Sequence, residues 1–219
     1  MILYPKNAIP LPEVKKFILI FYFIGVLGFL IPWTRSLFST ITPLALLLST
    51  YLIAAFHGSL TKKDLIVFAS IFAMGYGVEA LGVNTGLLFG HYSYGSALGV
   101  KVLNTPLLIG LNWLFLVYAA TSIAATITKK KPFQLLLAPT LMLVYDLVLE
   151  QLAPFMDMWS WLDGIVPTQN YVAWWIFGFL FASLIHLFKV ETKNPLVVVL
   201  FSAQFVFFGI LFFVFNGIR

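Results

Sequence analysis

The chain has 219 residues, of which 61% are hydrophobic, 17% aromatic and only 10% charged, with a net charge of +5. A water-soluble domain carries about 25% charged residues, so a mean hydropathy of +1.00 makes the bilayer the expected solvent. The absence of cysteine excludes disulfides, thiolate metal sites and thiol nucleophiles, and the excess of Lys and Arg lies in short loops, where it signals topology rather than nucleic-acid binding.

In chain order, the stretch Met1–Leu11 is polar to mixed, with prolines at Pro5 and Pro10 and a third just beyond at Pro12. It is not expected to be a cleavable signal, because the apolar run after it is long enough to span. Seven segments approach the roughly 20 apolar residues of a helical span: about Val14–Ile31, Phe38–His57, Asp64–Gly82, Thr105–Ile127, Phe133–Ala153, Tyr171–Lys189 and Pro195–Gly217. Their joints carry helix-ending residues, such as Pro32, the Lys62-Lys63-Asp64 triplet, the Lys129–Lys131 run with Pro132, and Asn194-Pro195. Membrane barrels show short alternating segments instead. The fold class is therefore an all-α integral membrane protein: a single domain over residues 1–219, built as a seven-transmembrane-helix bundle with long outer loops.

Marking off the spans splits the charges. Lys6, Lys15, Lys16, Lys62, Lys63, Lys129, Lys130, Lys131, Lys189 and Lys193 fall on one side, and Arg35, Lys101 and Arg219 on the other. Positive charge marks the cytoplasmic side, so a multi-pass protein of the cytoplasmic membrane is expected, N-terminus inside and C-terminus outside. The acids Glu79, Asp146, Glu150, Asp157 and Asp163 map to the outer half. At about 1.5 Å per helical residue, Asp146 lies roughly 5 Å outward of mid-membrane, Asn112 about 6 Å, Glu79 about 9 Å and Glu150 about 10 Å. Asp146 and Glu150, four apart, share a helix face. An acid inside a span usually faces the bundle interior and carries function. The bland alternatives place Glu79 and Glu150 at the headgroup boundary, or make Asn112 and Asp146 a structural hydrogen bond between helices.

Two outer loops are long, rich in Gly and aromatics and poor in charge: Asn84–Asn104 and Pro154–Asn170. They suit re-entrant hairpins or a cap over the bundle, or an interfacial aromatic belt that includes Trp159 and Trp161. The three histidines, His57, His91 and His186, do not converge, which argues against a di-iron oxygenase and leaves no metal site expected. No GxGxxG follows a strand, so no nicotinamide or flavin domain is expected. A magnesium–diphosphate site would need a second acidic cluster and basic residues on the outer side. What remains is proton transfer by carboxyl groups, with water and without cofactors, on a lipophilic substrate.

The run Glu79-Ala-Leu-Gly-Val-Asn-Thr-Gly86, with Phe89-Gly90, Tyr92-x-Tyr94, Asn104-Thr-Pro106 and Gly110-Leu-Asn112-Trp113, resembles the membrane carotenoid hydratase family. So does the block Asp146-x-x-x-Glu150, Trp159-x-Trp161, Val166-Pro167-x-x-Asn170-Tyr-x-x-Trp174. The likeness spans about residues 75–175. Where that family carries Asp-Pro this chain has Glu150-Gln151, and where it carries Gly this chain has Ile165 or Ala173. The resemblance implies a carotenoid 1,2-hydratase, a hydro-lyase acting on an acyclic carotenoid end of the lycopene, γ-carotene or bisanhydrobacterioruberin type. Its partners would be the carotenoid, water, membrane lipids and other carotenoid-synthesis enzymes. Asp146 is expected to donate the proton, with Glu79 or Glu150 orienting water. Asn112 would hold water, Asn170 would contact substrate or water, Trp113, Trp159 and Trp161 would face the cation, and Tyr92 and Tyr94 would line the entrance. Two other readings stand beside it: a transporter of protons or small solutes, and a non-catalytic partner in a carotenoid-synthesis complex.

Overall fold

The computed structural model describes residues 9–217; Lys6 and Arg219 of the charge split, and most of the Met1–Leu11 stretch, lie outside the described residues. Seven α-helices follow in order among those residues: α1 (Leu11–Leu30), α2 (Arg35–Phe56), α3 (Lys62–Thr85), α4 (Leu108–Ile127), α5 (Lys131–Glu150), α6 (Thr168–Leu187) and α7 (Val197–Gly217). Six of them are long and apolar enough to cross a membrane. The exception is α1, whose first turns carry Glu13, Lys15 and Lys16. The chain is thus an all-α, multi-pass membrane protein.

The helix ends have local causes. Pro12 and Pro132 sit in the first turns of α1 and α5, where a missing N–H costs nothing. Ile31, held extended ahead of Pro32, closes α1. α3 opens with a reciprocal capping box: Thr61 Oγ1 accepts from the Asp64 amide at 3.2 Å, and the Thr61 amide donates to Asp64 Oδ2 at 2.9 Å. It closes on Gly86, whose left-handed φ of 69° favours glycine. At two ends the helix falls three residues short of the expected span. The fourth helix starts at Leu108, because Thr105–Pro106 belongs to a short strand. The fifth stops at Glu150 rather than Ala153, since Pro154 cannot continue it and disfavours helical backbone at Ala153.

α4 forms the centre, packed on α3 and α5; α6 lies on α5, α1 lies on α7, and α2 is the most loosely held. Helices close up where side chains are small. A Cβ added at Gly75 on α3 would fall 2.5 Å from the Trp113 Cβ on α4. A polar knot ties four helices within the bundle: Tyr145 donates to Gln204 Oε1 (3.0 Å), and Gln204 Nε2 donates to Tyr22 (2.7 Å) and to Ser49 (3.2 Å). The lysine-bearing loops join α2–α3, α4–α5 and α6–α7, so they lie opposite the two long loops. There Lys63 Nζ donates to the Lys189 carbonyl.

The two long loops are a cap made partly of strands, and they pair with each other. β1 (Tyr92–Tyr94) runs antiparallel to β4 (Trp159–Trp161), with Tyr92 opposite Trp161 and Tyr94 opposite Trp159. Alternation of side chains buries Tyr94, Trp159 and Trp161 and half-buries Tyr92, while Ser93 and Ser160 stay exposed. A second ribbon pairs β2 (Lys101–Val102) with β3 (Thr105–Pro106). Its two-residue turn has positive φ at Leu103 (49°) and Asn104 (59°), as a tight hairpin requires. Asn84 and Tyr76 hold that turn from α3, donating to the Leu103 and Val102 carbonyls.

Candidate active site

The cap delivers hydrogen-bond donors onto two acids. Glu79 lies four residues after Gly75, on the same face of α3, and Trp113 lies over that face. Trp113 Nε1 donates to Glu79 Oε1 at 2.9 Å, while the Tyr92 and Tyr94 hydroxyls donate to Oε2 at 2.6 and 2.7 Å. Glu150 ends α5 beneath β4. Trp159 and Trp161 Nε1 donate to its Oε2 at 2.9 and 2.7 Å, and Asn170 Nδ2 donates to its Oε1 at 3.0 Å. One turn earlier, Asp146 Oδ2 accepts a longer bond from the same Asn170 amide, 3.3 Å, and Asp146 Oδ1 has no hydrogen-bond partner. All three acids are buried within the protein.

Among the described residues no Lys, Arg or His side chain donates to these carboxyl groups, and every donor is neutral. Burial and the adjoining Glu79 carboxyl hold the Tyr92 and Tyr94 hydroxyls well above the ordinary tyrosine range, so both remain donors at physiological pH. Outside this cluster, Asp157 braces the cap. Its Oδ2 accepts from the Ser96 hydroxyl and, at 2.9 Å, from the Ser96 amide, and these bonds draw its carboxyl below the usual aspartate range. Among the described residues no three His, Asp or Glu side chains are grouped to hold a metal ion.

Two cavities meet here. A small polar chamber of about 20 Å³ lies among Glu79, Glu150, Tyr92, Tyr94, Trp159 and Trp161. A water needs about 10–15 Å³ by that measure, so the chamber has room for about one. Beside it, an apolar cavity of about 450 Å³ opens between α1, α2, α4, α5 and α7, within the usual size of a small-molecule site. Ile109 and Trp159 line both and form the wall between them.

Of the residues expected from sequence, the structure gathers Glu79, Glu150, Asp146, Trp113, Tyr92, Tyr94, Trp159, Trp161 and Asn170. Asn112 is not among them. It lines the apolar cavity, and Asp146 takes its bond from Asn170 instead. The tyrosines and tryptophans, expected at an entrance and around a cation, point their O–H and N–H groups at carboxyl oxygens. Ile109 and the ribbon were not foreseen, although Tyr-x-Tyr and Trp-x-Trp carry the period of two that marks a strand.

The fold and this cluster define a class: a helical membrane protein with a water-sized acid chamber beside a lipophilic cavity. The sequence pattern of the carotenoid biosynthesis protein family matches residues 41–218, and the chain belongs to that family. No curated protein and no solved structure matches the chain.

Proposed function

We propose that the chain hydrates the terminal C1–C2 double bond of an acyclic carotenoid end, giving a tertiary alcohol at C1 without a cofactor. The observation that carries this reading is a one-water chamber between two buried carboxyl groups, set against an apolar cavity. The cavity would take the polyene end from the bilayer, with its tip at the Ile109–Trp159 wall.

Protonation at C2 leaves the charge on C1, the more substituted carbon. Water adds there, and its spare proton returns to a carboxylate. Three clustered acids with only neutral donors cannot all be anions without mutual repulsion. We assign one proton to the Asp146–Glu150 pair, which Asn170 bridges. Glu150 is the member that faces the chamber, so it delivers the proton, with Asp146 behind it. Glu79 and Glu150 each accept from three donors, but those on Glu79 are shorter, 2.6–2.9 Å against 2.7–3.0 Å, and none is shared with another acid, so Glu79 is the better-stabilised carboxylate and receives the proton released by water. The sequence reading placed the donor at Asp146; the chamber lining favours Glu150.

The same reading includes seven spans. α1 would cross with α7 as its neighbour, Lys15 and Lys16 reaching their ammonium groups to the interface. The charge split then places the N-terminus in the cytoplasm and the cap outside, in the cytoplasmic membrane. The test is expression in a lycopene-producing host with mass analysis of the pigments. A gain of one water is expected. Glu150→Gln and Glu79→Gln should lower the yield by about 100-fold or more, the usual range for removing a general acid or base. Unchanged pigment at normal protein levels would remove the hydratase reading.

A further inference from the structure

Hydration uses one water per turnover. Its hydroxyl goes to C1, and its remaining proton, received by Glu79, balances the one Glu150 gave to C2; passing it back to Glu150 through water in the chamber restores the acids. A chamber with room for about one water must then be refilled in every cycle, and the structure offers two boundaries across which that can happen. One is the Ile109–Trp159 wall, with the apolar cavity behind it. That cavity is lined mainly by Phe, Leu, Ile and Met side chains, and polar groups cross such a space poorly.

The other boundary faces outward. Glu150 and Trp161 line the chamber and also an open groove of about 650 Å³, walled in part by Gln151, Ser160 and Tyr171. We infer that this groove is the water inlet of the site, with Glu150 and Trp161 as its threshold. Glu150 addresses both spaces, and its Oε2 holds the Trp161 indole at 2.7 Å. Neither Glu79 nor Asp146 lines the groove. The apolar substrate and the water therefore reach the acids across different walls of the chamber. The need for an inlet rests on the hydration reading; the accessibility of Glu150 does not.

Two measurements separate these. The purified full-length chain is treated with a water-soluble carbodiimide and glycinamide, and its acid-bearing peptides are weighed. Glu150 should be amidated more slowly than exposed Asp163 but well ahead of Glu79 and Asp146. Absent labelling at Glu150, or equal labelling at Glu79, overturns the inlet. The chain has no cysteine, so Ile165→Cys places a single thiol at an exposed position lining the groove. A charged methanethiosulfonate reagent should then slow hydration by about tenfold, equivalent to about 1.4 kcal/mol, while the unmodified variant keeps the wild-type rate. A fully modified variant with an unchanged rate overturns the inlet. An unmodified variant that forms no hydrated pigment tells against the hydration reading, and the carbodiimide pattern still decides the inlet.

Discussion

Glu79→Leu and Glu79→Gln separate the structural role of this carboxyl from its chemical one. Leucine removes the side-chain acceptor of two buried donors, the Tyr94 hydroxyl and the Trp113 indole, and leaves the half-buried Tyr92 hydroxyl only the Glu79 backbone carbonyl at 3.5 Å. Each stranded buried donor costs about 1–3 kcal/mol, so the two amount to roughly 2–6 kcal/mol, a large part of the 5–15 kcal/mol that typically holds a domain together. Glutamine keeps an oxygen for Trp113. Its two amide hydrogens can meet the two tyrosine oxygens, and one hydroxyl then turns toward the water position. Thermal unfolding of purified protein in detergent, followed by tryptophan fluorescence, should place Glu79→Gln close to wild type and Glu79→Leu far below it. Pigment analysis should show neither variant active. Equal stability of the two variants would mean that the cap does not depend on this carboxyl, and the reasoning from the donor geometry would be wrong.

Gly75→Val should destabilise by about 1–3 kcal/mol through overpacking, because its Cβ would meet Trp113; Gly77→Ala, with nothing within 4 Å, is the control in the same unfolding assay. Asn170→Leu removes the amide that bridges Asp146 and Glu150, and it should lower hydration more than it lowers the unfolding temperature; the reverse order would reduce Asn170 to a packing role. Asp157→Asn tests the cap brace by pH. The folded aspartate titrates below its unfolded value, so its contribution is complete above the ordinary aspartate pKa of about 3.9 and disappears as pH falls through the folded value. The two proteins should differ in unfolding temperature from pH 7 down to about pH 4 and converge only as pH falls further, through the folded value, whereas a constant gap would assign the difference to something other than this carboxyl.

Much of the bundle was legible because hydropathy and helix-ending residues mark spans directly. The pairing of Asp146 with Glu150 was legible because four residues make one helical turn. Helix rise gives position along a helix, but direction around the helix could not be read from the sequence. Asn112 and Trp113 are neighbours in sequence and point about 100° apart. Trp113 settles against Gly75 and takes the side facing Glu79, which turns Asn112 toward the apolar cavity. The ribbon was hidden for a different reason: its two strands lie in separate loops, and no local pattern announces which distant segment a three-residue strand will choose.

That ribbon has a consequence for how the chain is made. Glu79 finds its tyrosine donors only 13 and 15 residues onward, and Glu150 finds its indoles 9 and 11 residues onward. Each of these two glutamates thus has donors within its own half of the chain, and Glu79 can meet its tyrosines before the second half is synthesised, which shortens the time an acid spends unpartnered in hydrocarbon. Joining Tyr92–Tyr94 to Trp159–Trp161 then docks two halves that each bring the donors for their own glutamate.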